Sequence, residues 1–129
     1  MVFLLSERGF LMDQPNQNEL EVLRLLWNKS PQKPAELQES FGWDIDNGTL
    51  RSVLVGMVER GLLTRKRNGR AYLYSPKVKR ETQLRQTVRR LAEVFTGGST
   101  GQLLMELAEK ERLSPEELKQ LKKIARGES

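Results

Sequence analysis

The sequence predicts a mainly α-helical chain with one small β-hairpin, and three observations lead to this prediction. Apolar residues recur at helical spacing in several separate segments. An Asn-Gly pair stands between two strand-like runs within residues 63–76, which is typical of a hairpin. Near the end of the chain, Ser114-Pro115-Glu116-Glu117 combines a cap, a proline and a capping-box glutamate, which together start a helix.

The first two helices are predicted from their starts. Asn16 and Glu19 form a capping-box pair, so the first helix is expected to begin at Asn16. A second helix should run from Pro34 to about residue 41, because proline suits the first turn of a helix. In the turn after it, Trp43 and Ile45 are predicted to fill the core.

Residues 47–60 form the third predicted helix, which is capped by Asp46 or Asn47. Its apolar stripe follows the i, i+3, i+4, i+7 spacing of a one-sided helix and consists of Leu50, Val53, Leu54, Met57 and Val58. The opposite face carries mostly short side chains and one guanidinium group: Gly48, Arg51, Ser52, Val55 and Glu59. Short side chains on an exposed face let the helix backbone enter a DNA major groove.

The hairpin is predicted to turn at Asn68-Gly69, the preferred pair for a type I′ turn, because both central residues of that turn need positive φ. Counting outward from this turn places Arg67 opposite Arg70, Arg65 opposite Tyr72 and Leu63 opposite Tyr74. Like charges directly opposite each other destabilise a hairpin, so this pairing indicates that a phosphate lies between the two arginines. The alternative is that both side chains splay into water.

A one-sided helix followed by a basic hairpin is the order of elements in a winged helix-turn-helix, a DNA-binding module. Arg51 is the expected base-specific donor, and Val55 is placed to touch a thymine methyl group. The wing arginines are expected to bind the DNA backbone or minor groove, and the start of the helix to bind a phosphate. The predicted DNA-binding residues are Asn47, Gly48, Thr49, Arg51, Ser52, Val55, Arg65, Arg67 and Arg70.

The charge distribution agrees with a polyanionic partner. The 129-residue chain has a net charge of +5, but residues 60–90 contain eleven basic residues and a single acid, Glu81. That window alone carries +10, and the rest of the chain sums to −5. A concentrated basic zone in an otherwise acidic chain favours nucleic acid over a membrane surface as the partner. The alternative is a basic face that is merely solvated.

Composition excludes several classes of function. The chain has no cysteine and no histidine, so disulfides, thiolate chemistry, Cys/His metal sites and serine-histidine triads are excluded. We therefore expect no enzymatic activity and no cofactor. The absence of cysteine, of a signal peptide and of a membrane-spanning stretch fits a cytoplasmic protein. Residues 1–15 are interpreted as a flexible arm or a misassigned start.

Residues 77–129 are predicted to form a helical dimerisation region, after a DNA-binding domain at residues 16–76. Helices are expected at about 78–95, 100–110 and from 115 to about 126, each with a narrow apolar stripe. Narrow stripes make a poor core for one chain and a good core when a second copy adds three more helices. The alternative is packing against the same chain's winged helix. The predicted interface residues are Leu84, Val88, Leu91, Phe95, Leu103, Leu107, Leu118, Leu121 and Ile124.

The chain resembles the penicillinase repressor family over about residues 16–126. The resemblance rests on Asn-Glu-Leu-Glu-Val-Leu-Arg-Leu-Leu-Trp (18–27), Thr-Leu-Arg-Ser-Val-Leu (49–54), Arg-Gly-Leu-Leu (60–63), Gly-Arg-Ala-Tyr-Leu-Tyr-Ser-Pro (69–76) and Val-Phe-Thr-Gly-Gly-Ser (94–99). It implies a homodimeric bacterial repressor with an N-terminal winged helix and a C-terminal dimerisation part. Such a repressor binds an inverted-repeat operator in double-stranded DNA.

Three departures from the family pattern affect what the resemblance implies. Family recognition helices usually carry a basic residue where Gly56 stands, so the base contacts of this chain are expected to differ. A sensor-protease pathway cuts the best-studied members at an Asn-Phe bond, which aligns with Met105-Glu106 here, so any regulatory protease or sensor is undetermined. The copper-responsive branch uses a cysteine pair motif that this chain lacks.

The function expected from the sequence is therefore that of a dimeric, sequence-specific transcriptional repressor. It reads its operator with helix 47–60 and the basic wing. The alternative from a different class is a winged helix that binds another protein and has no specific DNA target. Such a module would not need the basic window at residues 60–90.

Overall fold

The computed structural model describes residues 15–127, so the predicted N-terminal arm lies almost wholly outside the described residues. The chain divides into two compact units, the first ending at Arg85 and the second beginning at Gln86. The elements in order are α1 (Gln17–Asn28), α2 (Pro34–Ser40), α3 (Asn47–Glu59), β1 (Leu63–Asn68), β2 (Ala71–Pro76), α4 (Arg80–Thr96), α5 (Thr100–Lys110) and α6 (Pro115–Ala125). This confirms the predicted fold class: a mostly helical chain with one antiparallel hairpin.

The helix starts follow the local chemistry of their caps. The side chain of Asn16 accepts a hydrogen bond from Glu19 N at 2.9 Å, and Glu19 Oε1 accepts one from Asn16 N at 2.9 Å. Ser114 and Glu117 form the same reciprocal pair at the start of α6. These reciprocal bonds satisfy amide groups that the first turn of a helix leaves without partners.

The core of the first unit lies among α1, α2, α3 and the base of the hairpin. Its largest fully buried side chains are Val22, Leu23, Leu26, Leu37, Leu50, Leu54, Met57 and Leu63. Tyr74 of β2 joins this core with 4% of its surface exposed. Because α3 buries Leu50, Leu54 and Met57, its opposite face is held outward.

Trp43 does not fill the core, and that prediction was wrong. Its side chain is 42% exposed, and its indole Nε1 donates to Asn18 Oδ1 at 2.9 Å. Phe41 packs against the core instead and meets the Trp43 ring edge-on, with ring centres 5.3 Å apart. Ile45 is partly buried against the core, as predicted.

The hairpin register also differs from the prediction. Asn68 stands opposite Ala71, Arg67 opposite Tyr72, Arg65 opposite Tyr74, and Leu63 opposite Pro76. The two-residue loop is therefore Gly69-Arg70, and Arg67 does not face Arg70. Gly69 has a φ of +66°, and no residue other than glycine in the described part of the chain has a positive φ, so only the first loop position is left-handed. Glycine at that position is typical of a type II′ turn rather than type I′.

The change of register leaves every side chain on its predicted face. Each β1 residue is opposed by a residue two positions further along β2 than expected, and the pleat of a strand has a period of two. Arg65, Arg67, Tyr72 and Tyr74 therefore share one face of the hairpin.

The second unit contains most of α4 together with α5 and α6. Gly97 and Gly98 join α4 to α5 with φ values of +59° and +98°, a conformation that favours glycine. Within this unit, Ala92 and Leu103 are buried, while much of the remaining apolar surface is exposed. None of the helices in the described part of the chain is long and apolar enough to cross a membrane.

Candidate nucleic-acid interface

The outward face of α3 is the first part of the candidate interface. Gly48, Thr49, Arg51, Ser52 and Val55 are all exposed, and Val55 leaves 42% of its surface accessible. A Cβ atom added to Gly56 would meet nothing within 4 Å outside its chain neighbours and the backbone of α3, so the start of a side chain can be accommodated at this position. This face thus combines small side chains with one arginine, the composition that the sequence predicted.

The start of α3 is fixed by Asp46. Its Oδ1 accepts a hydrogen bond from Thr49 N at 2.7 Å, and its Oδ2 accepts one from the Thr49 hydroxyl at 2.9 Å. The Thr49 N–H, and then the hydroxyl, hold the pKa of the Asp46 carboxyl below its usual value. Because the Thr49 hydroxyl proton is used in this cap, Thr49 can offer DNA only its acceptor lone pairs and its methyl group.

Arg51 is held by a neighbour on the same helix. Its Nε donates a hydrogen bond to Oδ1 of Asn47, one turn earlier. The Nη1 and Nη2 groups of Arg51 have no hydrogen-bond partner among the described residues, so they remain available to a ligand. Two parallel N–H groups are the donor pattern that recognises O6 and N7 of guanine.

The wing is the second part of the candidate interface. Arg65 and Arg67 lie on the face of the hairpin that carries Tyr72, and both guanidinium groups lie near the Tyr72 ring. Arg70 is exposed in the two-residue loop at the tip. The hairpin thus carries four cations, Arg65, Lys66, Arg67 and Arg70, and neither of its strands contains an acidic residue.

The wing is tied to the helical core by Gln32, which the sequence analysis did not identify. Gln32 and Tyr74 exchange two backbone hydrogen bonds, at 3.0 and 2.9 Å. The Gln32 side-chain amide donates to the carbonyl oxygens of Leu25 and Lys29 at the end of α1, at 3.1 and 2.7 Å. Since Gln32 and Tyr74 are far apart in sequence, no local motif could have predicted that they pair.

Arg60, the first cation of the basic window, has a structural role. Its Nη1 donates to Oε2 of Glu19, whose side chain is only 7% exposed, and the two groups form an ion pair. The same Glu19 caps α1 through its other oxygen. Arg60 therefore joins the end of α3 to the start of α1, and part of its charge is already neutralised by protein.

The predicted dimerisation residues include several exposed apolar side chains. Phe95 and Ile124 are 69% and 67% exposed, and Leu84, Leu91, Leu107, Leu118 and Leu121 are between 38% and 51% exposed. Val88 is half-buried, and Leu103 is buried within its own unit. A groove of about 270 Å³ lies between α4 and α5, with Leu91, Phe95, Leu103 and Leu107 as its apolar lining.

Several solved structures of transcriptional regulators have a fold similar to that of this chain. The repressor CouR, solved bound to a 23-mer DNA duplex, is 24% identical over 86% of this chain and 87% of its own, with a TM-score of 0.50. The regulator PcaV from Streptomyces coelicolor is 20% identical over 97% and 86% of the two chains, with a TM-score of 0.51. A transcriptional regulator from Thermotoga maritima is 21% identical over 97% and 88%, with a TM-score of 0.50.

Sequence comparison then identifies the family. The penicillinase repressor family model matches residues 16–126. A penicillinase repressor from Bacillus licheniformis is 24% identical over 115 residues, which is 86% of this chain and 88% of the relative. The chain therefore belongs to the penicillinase repressor family, as its motifs indicated, and is a DNA-binding transcriptional repressor of the winged-helix class.

Proposed function

We propose that the protein is a homodimeric, sequence-specific repressor that reads an inverted-repeat operator, and that it acts by binding rather than by catalysis. The observation that carries this proposal is the outward face of α3, with Arg51 among small side chains, in the same unit as a wing that carries Arg65, Arg67 and Arg70. Membership of a repressor family supports DNA as the partner.

The two parts of the interface have different roles in this proposal. Arg51 donates to a guanine edge, and Val55 touches a thymine methyl group, so α3 distinguishes one sequence from another. The wing arginines and the backbone N–H groups at the N-terminus of α3, at Asn47 and Gly48, bind phosphates, so they position the protein on DNA of any sequence. Ser52 and Thr49 are also exposed on α3 and contribute shorter polar contacts.

Dimerisation is supported by the apolar surface of α4, α5 and α6. Exposed leucines on all three helices, together with Phe95 and Ile124, are unfavourable in water, and exposed apolar surface of this extent is typical of a protein–protein interface. A symmetric dimer presents two identical α3 helices, and such a pair matches an inverted repeat. The half-sites are expected to lie about one helical turn, or a multiple of it, apart.

Footprinting of the full chain on the DNA upstream of its own gene tests this function. We expect two protected half-sites related by inverted symmetry, and much weaker binding to a scrambled duplex of equal length. Arg51→Ala should weaken binding to the protected site about 5- to 150-fold, the range for one bidentate base contact. Equal affinity for protected and scrambled duplexes would contradict sequence-specific repression, and negligible affinity for both would favour the protein-interaction alternative.

A further inference from the structure

The side chain of Asn47 makes its contact within α3, to Arg51. Asn47 is the first residue of α3, and its Oδ1 accepts a hydrogen bond from Arg51 Nε, four residues later. Residues four apart lie above one another on the same side of a helix, so this bond runs along the exposed surface. Asp46 already caps the helix through Thr49 N, so the Asn47 side chain is not needed for the cap.

We propose that Asn47 is a positioning residue that fixes the Arg51 guanidinium in its base-reading orientation before DNA is bound. This rests on the proposed role of Arg51 in reading a guanine. An arginine side chain has many rotamers, and binding must select one of them. A hydrogen bond through Nε selects the rotamer in the unbound protein and leaves the two terminal nitrogens for the base.

The hydrogen bond to Asn47 uses the Nε atom of Arg51, and this atom determines what the bond can fix. Guanidinium is planar, so a bond at Nε fixes the plane as well as the direction of the Nη1 and Nη2 groups. A guanine edge needs two donors in one plane, and a phosphate needs only a nearby charge. Loss of Asn47 should therefore weaken the reading of bases more than the binding of the backbone.

Fixing one flexible side chain changes affinity roughly two- to twelvefold, which sets the expected size of the effect. The test measures dissociation constants by fluorescence anisotropy on two duplexes of equal length, the footprinted site and a scrambled sequence, at one salt concentration. Asn47→Ala should weaken binding to the footprinted site by that factor and leave binding to the scrambled duplex within about twofold. Alanine is the best helix former and Asp46 still caps α3, so the variant should fold, which its thermal melting checks.

A double-mutant cycle separates positioning from a direct contact. If Asn47 acts through Arg51, Asn47→Ala has no further effect in an Arg51→Ala or Arg51→Lys background. Lysine keeps the charge but has no Nε–H to anchor. If the two substitutions instead weaken binding independently, Asn47 has its own DNA contact and the proposal is overturned.

Asn47→Asp provides the conservative variant. A carboxylate still accepts a hydrogen bond from Arg51 Nε, but its charge repels phosphate. We expect Asn47→Asp to weaken binding to both duplexes by the same factor, so that the affinity for the footprinted site relative to the scrambled duplex is preserved. Asn47→Ala should lower this relative affinity. If both variants lower this relative affinity, the proposal that Asn47 positions Arg51 is contradicted. Failure of the proposed function can be told apart from failure of this inference. If Arg51 does not read a base, Arg51→Ala alone should weaken binding to both duplexes equally.

Discussion

The guanidinium carbon of Arg65 lies 4.4 Å from the centre of the Tyr72 ring, and that of Arg67 lies 5.5 Å from the same centre. Arg67 stands directly opposite Tyr72 on the hairpin, and Arg65 is two residues away on the same strand and face. One aromatic ring therefore contacts both cations. This arrangement holds two like charges close together on the wing and orders them before DNA binds.

Replacing Tyr72 should weaken binding to DNA of every sequence. A cation–π contact at an exposed site contributes about 0.5–1 kcal/mol, so Tyr72→Leu should raise the dissociation constant roughly two- to fivefold on operator and scrambled duplexes alike. Tyr72→Phe keeps the ring and is the matched control, with affinity close to that of the unmodified protein. A loss confined to the operator, or an equal loss in the phenylalanine variant, would contradict this role.

The wing cations should be detectable through the salt dependence of binding. Arg70→Ala or Arg67→Ala removes one of the proposed phosphate contacts, so the slope of log K against log salt should become shallower by about one unit. Lys119→Ala removes the same charge from an exposed position on α6 and serves as the control. If Lys119→Ala changes the slope as much, the effect reflects net charge rather than contacts of the wing.

Local chemistry was enough to predict where the helices begin. Asn16 with Glu19, Asp46 before α3, and Ser114 with Glu117 each cap the helix that follows. The apolar stripe of α3 was also predictable, because Leu50, Leu54 and Met57 repeat at the helical period and are buried. These features depend on residues three or four apart, which a sequence displays directly.

Features that depend on distant residues were not predictable. The Asn-Gly preference favoured one hairpin register, but Tyr74 is buried in the core and bonded to Gln32, and these contacts accompany a register that leaves Gly69 and Arg70 in the loop. Trp43 was expected in the core on its hydrophobicity alone. Its indole N–H has a partner at Asn18, 25 residues away, and Phe41, which is partly buried, packs against the core.

The oligomeric state should respond to charges placed on the exposed apolar surface. Phe95→Glu and Ile124→Glu change the two most exposed residues of the predicted interface, so they should do little to the fold of one chain. We expect light scattering to give a dimer for the unmodified protein and a monomer for the double variant at micromolar concentration. Val55→Glu changes an exposed apolar residue on α3 and should leave the dimer intact. A monomeric unmodified protein would contradict the proposed dimer.

The stability of the first unit should depend on the charge of Glu21. Its carboxylate accepts hydrogen bonds from Arg24 Nε and Nη2 at 2.7 and 2.6 Å and from Gly42 N at 2.8 Å. The Arg24 hydrogen bonds, opposed by burial and aided by Gly42, hold the pKa of Glu21 below its ordinary value of 4.5. A depressed pKa stabilises the folded state above the unfolded pKa, and that stabilisation is lost as pH falls through the folded pKa.

Glu21→Ala removes the acceptor of a backbone amide and should lower the free energy of unfolding by about 1–3 kcal/mol at pH 7. Glu21→Gln keeps an acceptor but cannot be charged. The difference in free energy of unfolding between Glu21→Gln and the unmodified protein should be constant above about pH 5 and shrink as pH falls below 4.5. Urea unfolding across this range measures both effects. Arg24→Ala should cost less than about 1 kcal/mol, because its side chain is 61% exposed. A Glu21→Gln difference that does not shrink as pH falls below 4.5 would contradict this role of the Glu21 charge.

Release from DNA is predicted not to use cleavage at an Asn-Phe bond. The aligned position holds Met105-Glu106, which lies within α5 and offers a different dipeptide. In cells exposed to a β-lactam, an immunoblot should therefore show no fragment ending at Met105. The control is a chain carrying Met105→Asn and Glu106→Phe, which restores the dipeptide. Cleavage of that control alone would show that the protease is present and that the sequence of the bond protects the natural chain.

The Gly97-Gly98 turn is a separate place where a different protease could act. Both glycines have left-handed backbone conformations and both are exposed, and exposed turns between helices are preferred sites of cleavage. A cut here would separate α5 and α6 from the part of the chain that contains α3 and the wing. It would also remove part of the proposed dimer interface. The two half-site contacts would then bind independently and lose a tethering advantage on the order of 10²–10⁴.

A fragment ending at Gly97 would support this route. An intact band with derepressed target genes would instead indicate a ligand or a partner protein that loosens the dimer.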